Sequence, residues 1–278
     1  MLSPLYGQLS PLRIPTAGIN AAQIAADYIA AVEAADGQSL ESAVKTAYQN
    51  FISGCVTDGI WSAIKASCIL AGARTLSGAL KPLVGSAPTN FNFVSADYNR
   101  KTGLKGNGTT KRLNANRTGN ADPQNNRHMS AYRGEDITTT HNGGCLIGAA
   151  GTTSVGTNLR NYHLTGATDG YAFRAASISQ GSIVANQFTG SAGFQGVSRS
   201  TSTLVNYRAP QNQSGTLSVT SGVPGGHGTG VFCLYHSGTP SLYTFSRLSF
   251  YSSGESLDLA LLDARVSTLM TDLAAAIP

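Results

Sequence analysis

The chain has 278 residues and a formal net charge of +5. Hydrophobic residues make up 41%, gathered in patterned runs, which excludes a disordered chain. Charged residues make up only 12%, well below the usual share of a soluble domain, while glycine reaches 32 residues. The length suffices for one large β-domain and a smaller unit. None of the four cysteines, Cys55, Cys68, Cys145 and Cys233, forms a Cys-x-x-Cys pair or has histidine at zinc-ligand spacing, so neither a metal nor another cofactor is expected. They read as small buried hydrophobes with free thiols, made in a reducing compartment. No signal peptide is read at Met1, and the longest apolar run, 59–73, holds Lys65 and is too short to cross a bilayer.

Residues 1–19 read as an extended arm. Leu-Ser-Pro-Leu occurs at 2–5 and again at 9–12, and Pro4, Pro11 and Pro15 forbid a helix. Its leucines, Leu2, Leu5, Leu9 and Leu12, must be buried on the same domain or on a neighbour, so the arm is expected to anchor the chain.

Residues 20–84 read as a helical region. Ile24, Tyr28, Ile29 and Val32 recur at helical spacing after Asn20, and Gly37 suits the stop. A second helix is expected after a Ser39 cap, with Leu40, Val44, Ala47, Phe51 and Ile52 on its apolar face. A third is expected after Asp58, through Ile60, Trp61, Ile64, Cys68 and Ile69.

Between 85 and 255 the texture is β. Candidate strands are 90–95, 111–115, 127–133, 145–150, 158–164, 171–178, 194–200, 203–209, 215–219, 231–236 and 242–252, separated by Gly, Asn, Ser and Pro clusters. Many short strands at this spacing predict a sandwich. Residues 256–278 close the chain as a helix capped by Ser256. Its seam of Leu259, Leu262, Val266, Leu269 and Leu273 fits either packing on the sandwich or an oligomer interface.

Six cations fall between Asp97 and Asp122 with no acid among them: Arg100, Lys101, Lys105, Lys111, Arg112 and Arg117. They read either as a patch for an anion or a partner, or as solvated strand residues that discourage edge pairing. No nucleic-acid motif accompanies them.

Catalytic motifs are fragmentary. Ser62-Ala-Ile-Lys65 and Lys101-Thr-Gly103 resemble elements of penicillin-recognising serine enzymes, in the wrong order and without a Ser-Asp-Asn element. His227-Gly-Thr-Gly230 resembles the histidine element of subtilisin-like proteases, but the glycines are better explained as a loop. Glycosidases need two placed carboxylates. Between Tyr98 and Gly254 the acids are Asp122, Glu135, Asp136 and Asp169.

The run Leu104-Lys-Gly-Asn-Gly-Thr-Thr-Lys-Arg-Leu113 resembles the opening of the first core strand in concanavalin A-like, laminin-G-type jelly rolls. The runs 26–37, 58–80, 87–94, 97–108 and 250–266 resemble virion structural proteins of tailed bacteriophages, a likeness covering roughly 20–117 and 245–277. The resemblance implies a mainly β fold: an antiparallel jelly-roll β-sandwich with a small N-terminal helical region and a C-terminal helix. It further implies a virion surface protein, associated with other tail or capsid proteins as a homo-oligomer, with a trimer favoured.

The leading expectation is a non-enzymatic tail-fibre or adhesin subunit that binds a host surface glycan, with no nucleic-acid or membrane partner. A head-decoration protein that stabilises the capsid and a surface-glycan hydrolase are the alternatives. Loops 117–126, 138–142 and 222–228 are the expected contacts, with Tyr132, Tyr162 and Tyr207 as candidate platforms.

Overall fold

Two stacked β-sheets, with helices on the outer side of one of them, make up the computed structural model, which describes residues 18–137, 141–152, 155–163, 170–178, 184–185 and 191–278. The arm leucines Leu2, Leu5, Leu9 and Leu12 lie outside the described residues. Elements are numbered in chain order. The first sheet holds β1 (Ile64–Ile69), β3 (Tyr98–Asn99), β4 (Gly103–Lys105), β6 (Arg127–Arg133), β11 (Gly193–Arg199), β12 (Leu204–Ala209), β13 (Gln213–Ser218) and β17 (Arg247–Gly254). The second holds β2 (Thr89–Phe91), β5 (Arg112–Thr118), β7 (His141–Ala150), β8 (Gly156–His163), β9 (Gly170–Ser177), β10 (Val184–Ala185), β14 (Gly228–Val231), β15 (Leu234–His236) and β16 (Thr239–Ser241). The helices are α1 (Ala21–Asp36), α2 (Ser42–Thr57), the short α3 (Leu76–Ala79) and α4 (Leu259–Ala276).

The first sheet runs β13-β12-β11-β6-β17-β4-β3, and β1 shares an edge of β17 with β4. The second runs β10-β9-β8-β7-β14-β5-β2, with β15 added parallel to β7. The other described pairings are antiparallel. The chain is a mainly β sandwich with N-terminal helices and a C-terminal helix, as its strand spacing predicts.

Two apolar layers hold it together. Between the sheets lie Leu113, Met129, Ile147, Leu159, Phe173, Val197, Leu248 and Tyr251. Between the first sheet and the helices lie Val32, Tyr48, Phe51, Phe194, Phe250, Leu262 and Leu269. A register shift in β17 between Leu248 and Phe250 serves both layers: Leu248 and Tyr251 face the second sheet, and Phe250 meets Phe51 edge-on at 5.8 Å. All five seam residues, Leu259, Leu262, Val266, Leu269 and Leu273, are buried within the chain in this helical layer.

The expected third helix is corrected. After a single 3-10 turn at Trp61–Ala63 the chain forms β1, paired with β17 from Ile64↔Gly254 to Ile69↔Phe250. Both faces of β1 are covered, Ile64 and Ile69 by the helical layer and Cys68 by the intersheet core, so the strand lacks polar alternation. Two caps are also corrected. Glu41, not Ser39, precedes α2. Asp258, not Ser256, caps α4, accepting from Ala260 N and Leu261 N. The expected strand 242–252 begins only at Arg247.

Candidate functional site

The six cations spread over the β3–β4 turn, β4, the residue before β5 and β5 itself, and most are neutralised. Arg100 donates to both Glu41 oxygens, at 3.1 and 2.8 Å, and this guanidinium pulls the Glu41 carboxyl down to about 2. Lys105 pairs with Glu135, and Lys111 with Asp97. Arg117 donates through Nε to Asp122, at 3.1 Å. Lys101 is exposed on the turn.

Arg112 is held differently. It projects from the outer face of the second sheet, because its neighbour Leu113 fills the intersheet core. Its cross-strand partner is Phe91, and its guanidinium carbon lies 4.0 Å from that ring's centroid. Nε donates to Tyr235 Oη at 3.1 Å, and Nη1 lies 3.5 Å from Tyr243 Oη. Gly230 makes room for this: a Cβ there would come within 2.7 Å of Tyr235 Cδ2.

The other candidate region is a groove of about 400 Å³ between the outer face of β12–β13 and the start of α4. Asn206, Arg208, Ser214, Thr216 and Asp258 line it. Arg208 is fixed by Asp263 and Asn212, and Thr216 Oγ1 donates to Asn206 Oδ1 at 3.2 Å. The volume is that of a small-ligand site, and the lining is rich in hydroxyl and amide groups. Sequence reasoning missed this groove, since its residues come together only through the β12–β13 pairing and the docking of α4.

Of the sandwich acids, Asp122 is tied to Arg117, and Asp136 accepts from Ala192 N at 2.6 Å. Asp169 lies outside the described residues. Arg247 Nε donates to Glu135 Oε2 at 2.9 Å and its Nη1 to the Asp97 main-chain carbonyl at 3.2 Å, while the Asp97 carboxylate bonds Lys111 and Val94 N. Tyr207 stacks on Phe173, and Tyr132 packs against the helical layer. Residues 138–140 of a predicted contact loop, and the Tyr162 side chain, lie outside the described residues. Lys65 sits on β1 and pairs with Glu255 at 3.2 Å, so Ser62 and Lys65 do not share a helix. Among the described residues no group of His, Cys, Asp and Glu is arranged to hold a metal ion, and no helix is long and apolar enough to cross a membrane.

No family model and no curated protein matches the chain. Solved structures similar to it include the enzymatically active domain of tailspike protein 2 from bacteriophage CBA120, at 12% identity and a TM-score of 0.39, covering 66% of this chain and 29% of that one. A sialidase from Trypanosoma rangeli is similar at 11% identity and a TM-score of 0.40, covering 76% and 33%. The NanB sialidase of Streptococcus pneumoniae is similar at 8% identity and a TM-score of 0.40, covering 58% and 27%. The chain thus spans a third or less of the length of these structures. The expectation that the chain is not an enzyme is corrected by these matches, which are to enzymes.

Proposed function

We propose that the chain is a bacteriophage tail protein whose β-sandwich engages glycan on the host surface. The observation that carries this reading is the groove of about 400 Å³ lined by Asn206, Arg208, Ser214, Thr216 and Asp258. Hydroxyl, amide and guanidinium groups along an open groove match the dense donors and acceptors of a sugar chain. The resemblance of residues 20–117 and 245–277 to tailed-phage virion proteins supports the location. Attachment through the arm leucines to other virion proteins, as a trimer, belongs to the same reading.

Retention of the full chain on immobilised host polysaccharide tests it. The expected result is binding that Asn206→Ala with Thr216→Ala weakens while the fold persists; no retention on any host glycan overturns it. Labelled antibody on the head instead of the tail would establish capsid decoration in its place.

A second reading is hydrolysis of that glycan, with the carboxyl groups of Glu135, held by Arg247 and Lys105, and of Asp97, held by Lys111, as the candidate acids. Glycoside cleavage needs two carboxyl groups flanking the scissile bond. Release of reducing ends from host polysaccharide, lost in Glu135→Gln and in Asp97→Asn, is its expected signature. Unchanged release in both variants overturns the assignment to these acids.

A further inference from the structure

We infer that Arg112, framed by Phe91, Tyr235 and Tyr243, is a subsite for a carboxylate-bearing sugar residue. The inference rests on the glycan-engaging reading above and names a ligand class for a second position, on the outer face of the other sheet.

Arg100, Lys105, Lys111 and Arg117 each have an acidic partner in the chain. Among the described residues Arg112 has none: its contacts there are the Phe91 ring, the Tyr235 ring and the two tyrosine hydroxyls. These neutral groups orient the cation without cancelling its charge. Nε is taken by Tyr235 and Nη1 reaches Tyr243, while Nη2 makes no hydrogen bond among the described residues. The Nη1–Nη2 edge therefore keeps donor capacity in the planar fork that matches a carboxylate.

The surroundings suit a sugar that carries the acid. Phe91 and Tyr243 are half-buried, so part of each ring stays in reach of solvent beside the guanidinium. Aromatic faces next to a charged fork offer an apolar surface for ring C–H groups and a directed contact for the acid. Asn114 adds an amide on the same face, two residues along β5.

The test is calorimetric titration of the full chain with an oligomer of galacturonic acid, and with the same oligomer after its carboxyl groups are reduced to alcohols. The acidic oligomer is expected to bind, and reduction to weaken binding by about tenfold or more. Arg112→Gln should weaken binding of the acidic oligomer by the same factor. Arg112→Lys should weaken it too, because the charge remains but the fork is lost. Lys81→Gln, which removes the same unit of charge elsewhere, should leave affinity unchanged. Equal affinity for both oligomers, unchanged affinity in Arg112→Gln, or no binding of the acidic oligomer overturns the inference. Should Arg112→Gln fail to fold, the two oligomers on the parent chain still decide. If host glycan is retained but the acidic oligomer is not bound, this inference fails and the groove reading stands; if no host glycan is retained, the groove reading fails.

Discussion

His128 and Ser252 are joined across neighbouring strands, Nε2 to Oγ, at 2.9 Å. The other ring nitrogen, Nδ1, lies 2.6 Å from the Glu255 carbonyl oxygen. A carbonyl can only accept, so Nδ1 carries a proton; with the imidazole neutral, Nε2 accepts from Ser252. Ser130, 2.7 Å from Ser252 Oγ, then donates to it. With the imidazole neutral, the three side chains have one consistent polarity.

The first prediction follows from that neutrality. Burial lowers the His128 pKa to about 4 from an ordinary 6.5. Between those values the unfolded chain binds a proton that the folded chain refuses, so stability is full above 6.5 and falls as pH drops towards 4. The loss attributable to this group is up to about 3 kcal/mol. Denaturant unfolding from pH 7 to pH 4 checks it: His128→Gln should flatten the slope in that window. Glu41, held down to about 2 by Arg100, contributes only at lower pH.

The strand pattern was legible because most strands of the second sheet and of the β6–β11–β12–β13 region have one face towards the intersheet core, and turn residues separate them. β1 was not. An apolar run covered on both faces has no period to distinguish a strand from a helix. The cation cluster was legible as a cluster but not as ion pairs. The acids come from 59 residues away for Arg100 and 14 for Lys111, and only the fold supplies them. Arg112 shows the same limit, since Tyr235 and Tyr243 lie more than a hundred residues further along the chain.

A second prediction concerns the thiols. Cys55, Cys68, Cys145 and Cys233 are all free and buried. Burial pushes Cys55, Cys68 and Cys233 up to about 12, and Cys145 is raised as well. The thiolate is the reactive form, so none should react with a thiol reagent at pH 8 in the native state. All four should react once the chain is unfolded. Native labelling at the rate of a free thiol would show that one of these packing layers opens readily.

Gly230 offers a third prediction, on the Arg112 cluster. A methyl group there would lie 2.6 Å from Cys233 Sγ and 2.7 Å from Tyr235 Cδ2. These contacts force the tyrosine ring outwards, and with it the hydroxyl that fixes Arg112 Nε. Gly230→Ala should therefore cost about 1–3 kcal/mol in stability. It should also weaken binding of the acidic oligomer, while binding in the β12–β13 groove on the other sheet stays intact. Loss of both activities together would mean the substitution acts globally.

The last prediction weighs two ways of holding α4 in place. Arg265 makes a two-pronged ion pair with Asp58, Nε at 2.7 Å and Nη2 at 2.8 Å, and Gly54 leaves the space for its guanidinium. The arginine side chain is 38% exposed, so water and salt screen the pair, and Asp58→Asn should cost little stability. Leu269, in contrast, is 1% exposed in the layer between α4 and the first sheet. Leu269→Ala should cost about 2–5 kcal/mol through lost transfer energy and the cavity left behind. Because the seam is buried within one chain, that loss should not change with protein concentration. Unfolding of both variants over a hundredfold range of concentration checks this. A midpoint that rises with concentration for Leu269→Ala would mean that the seam is completed by a second copy.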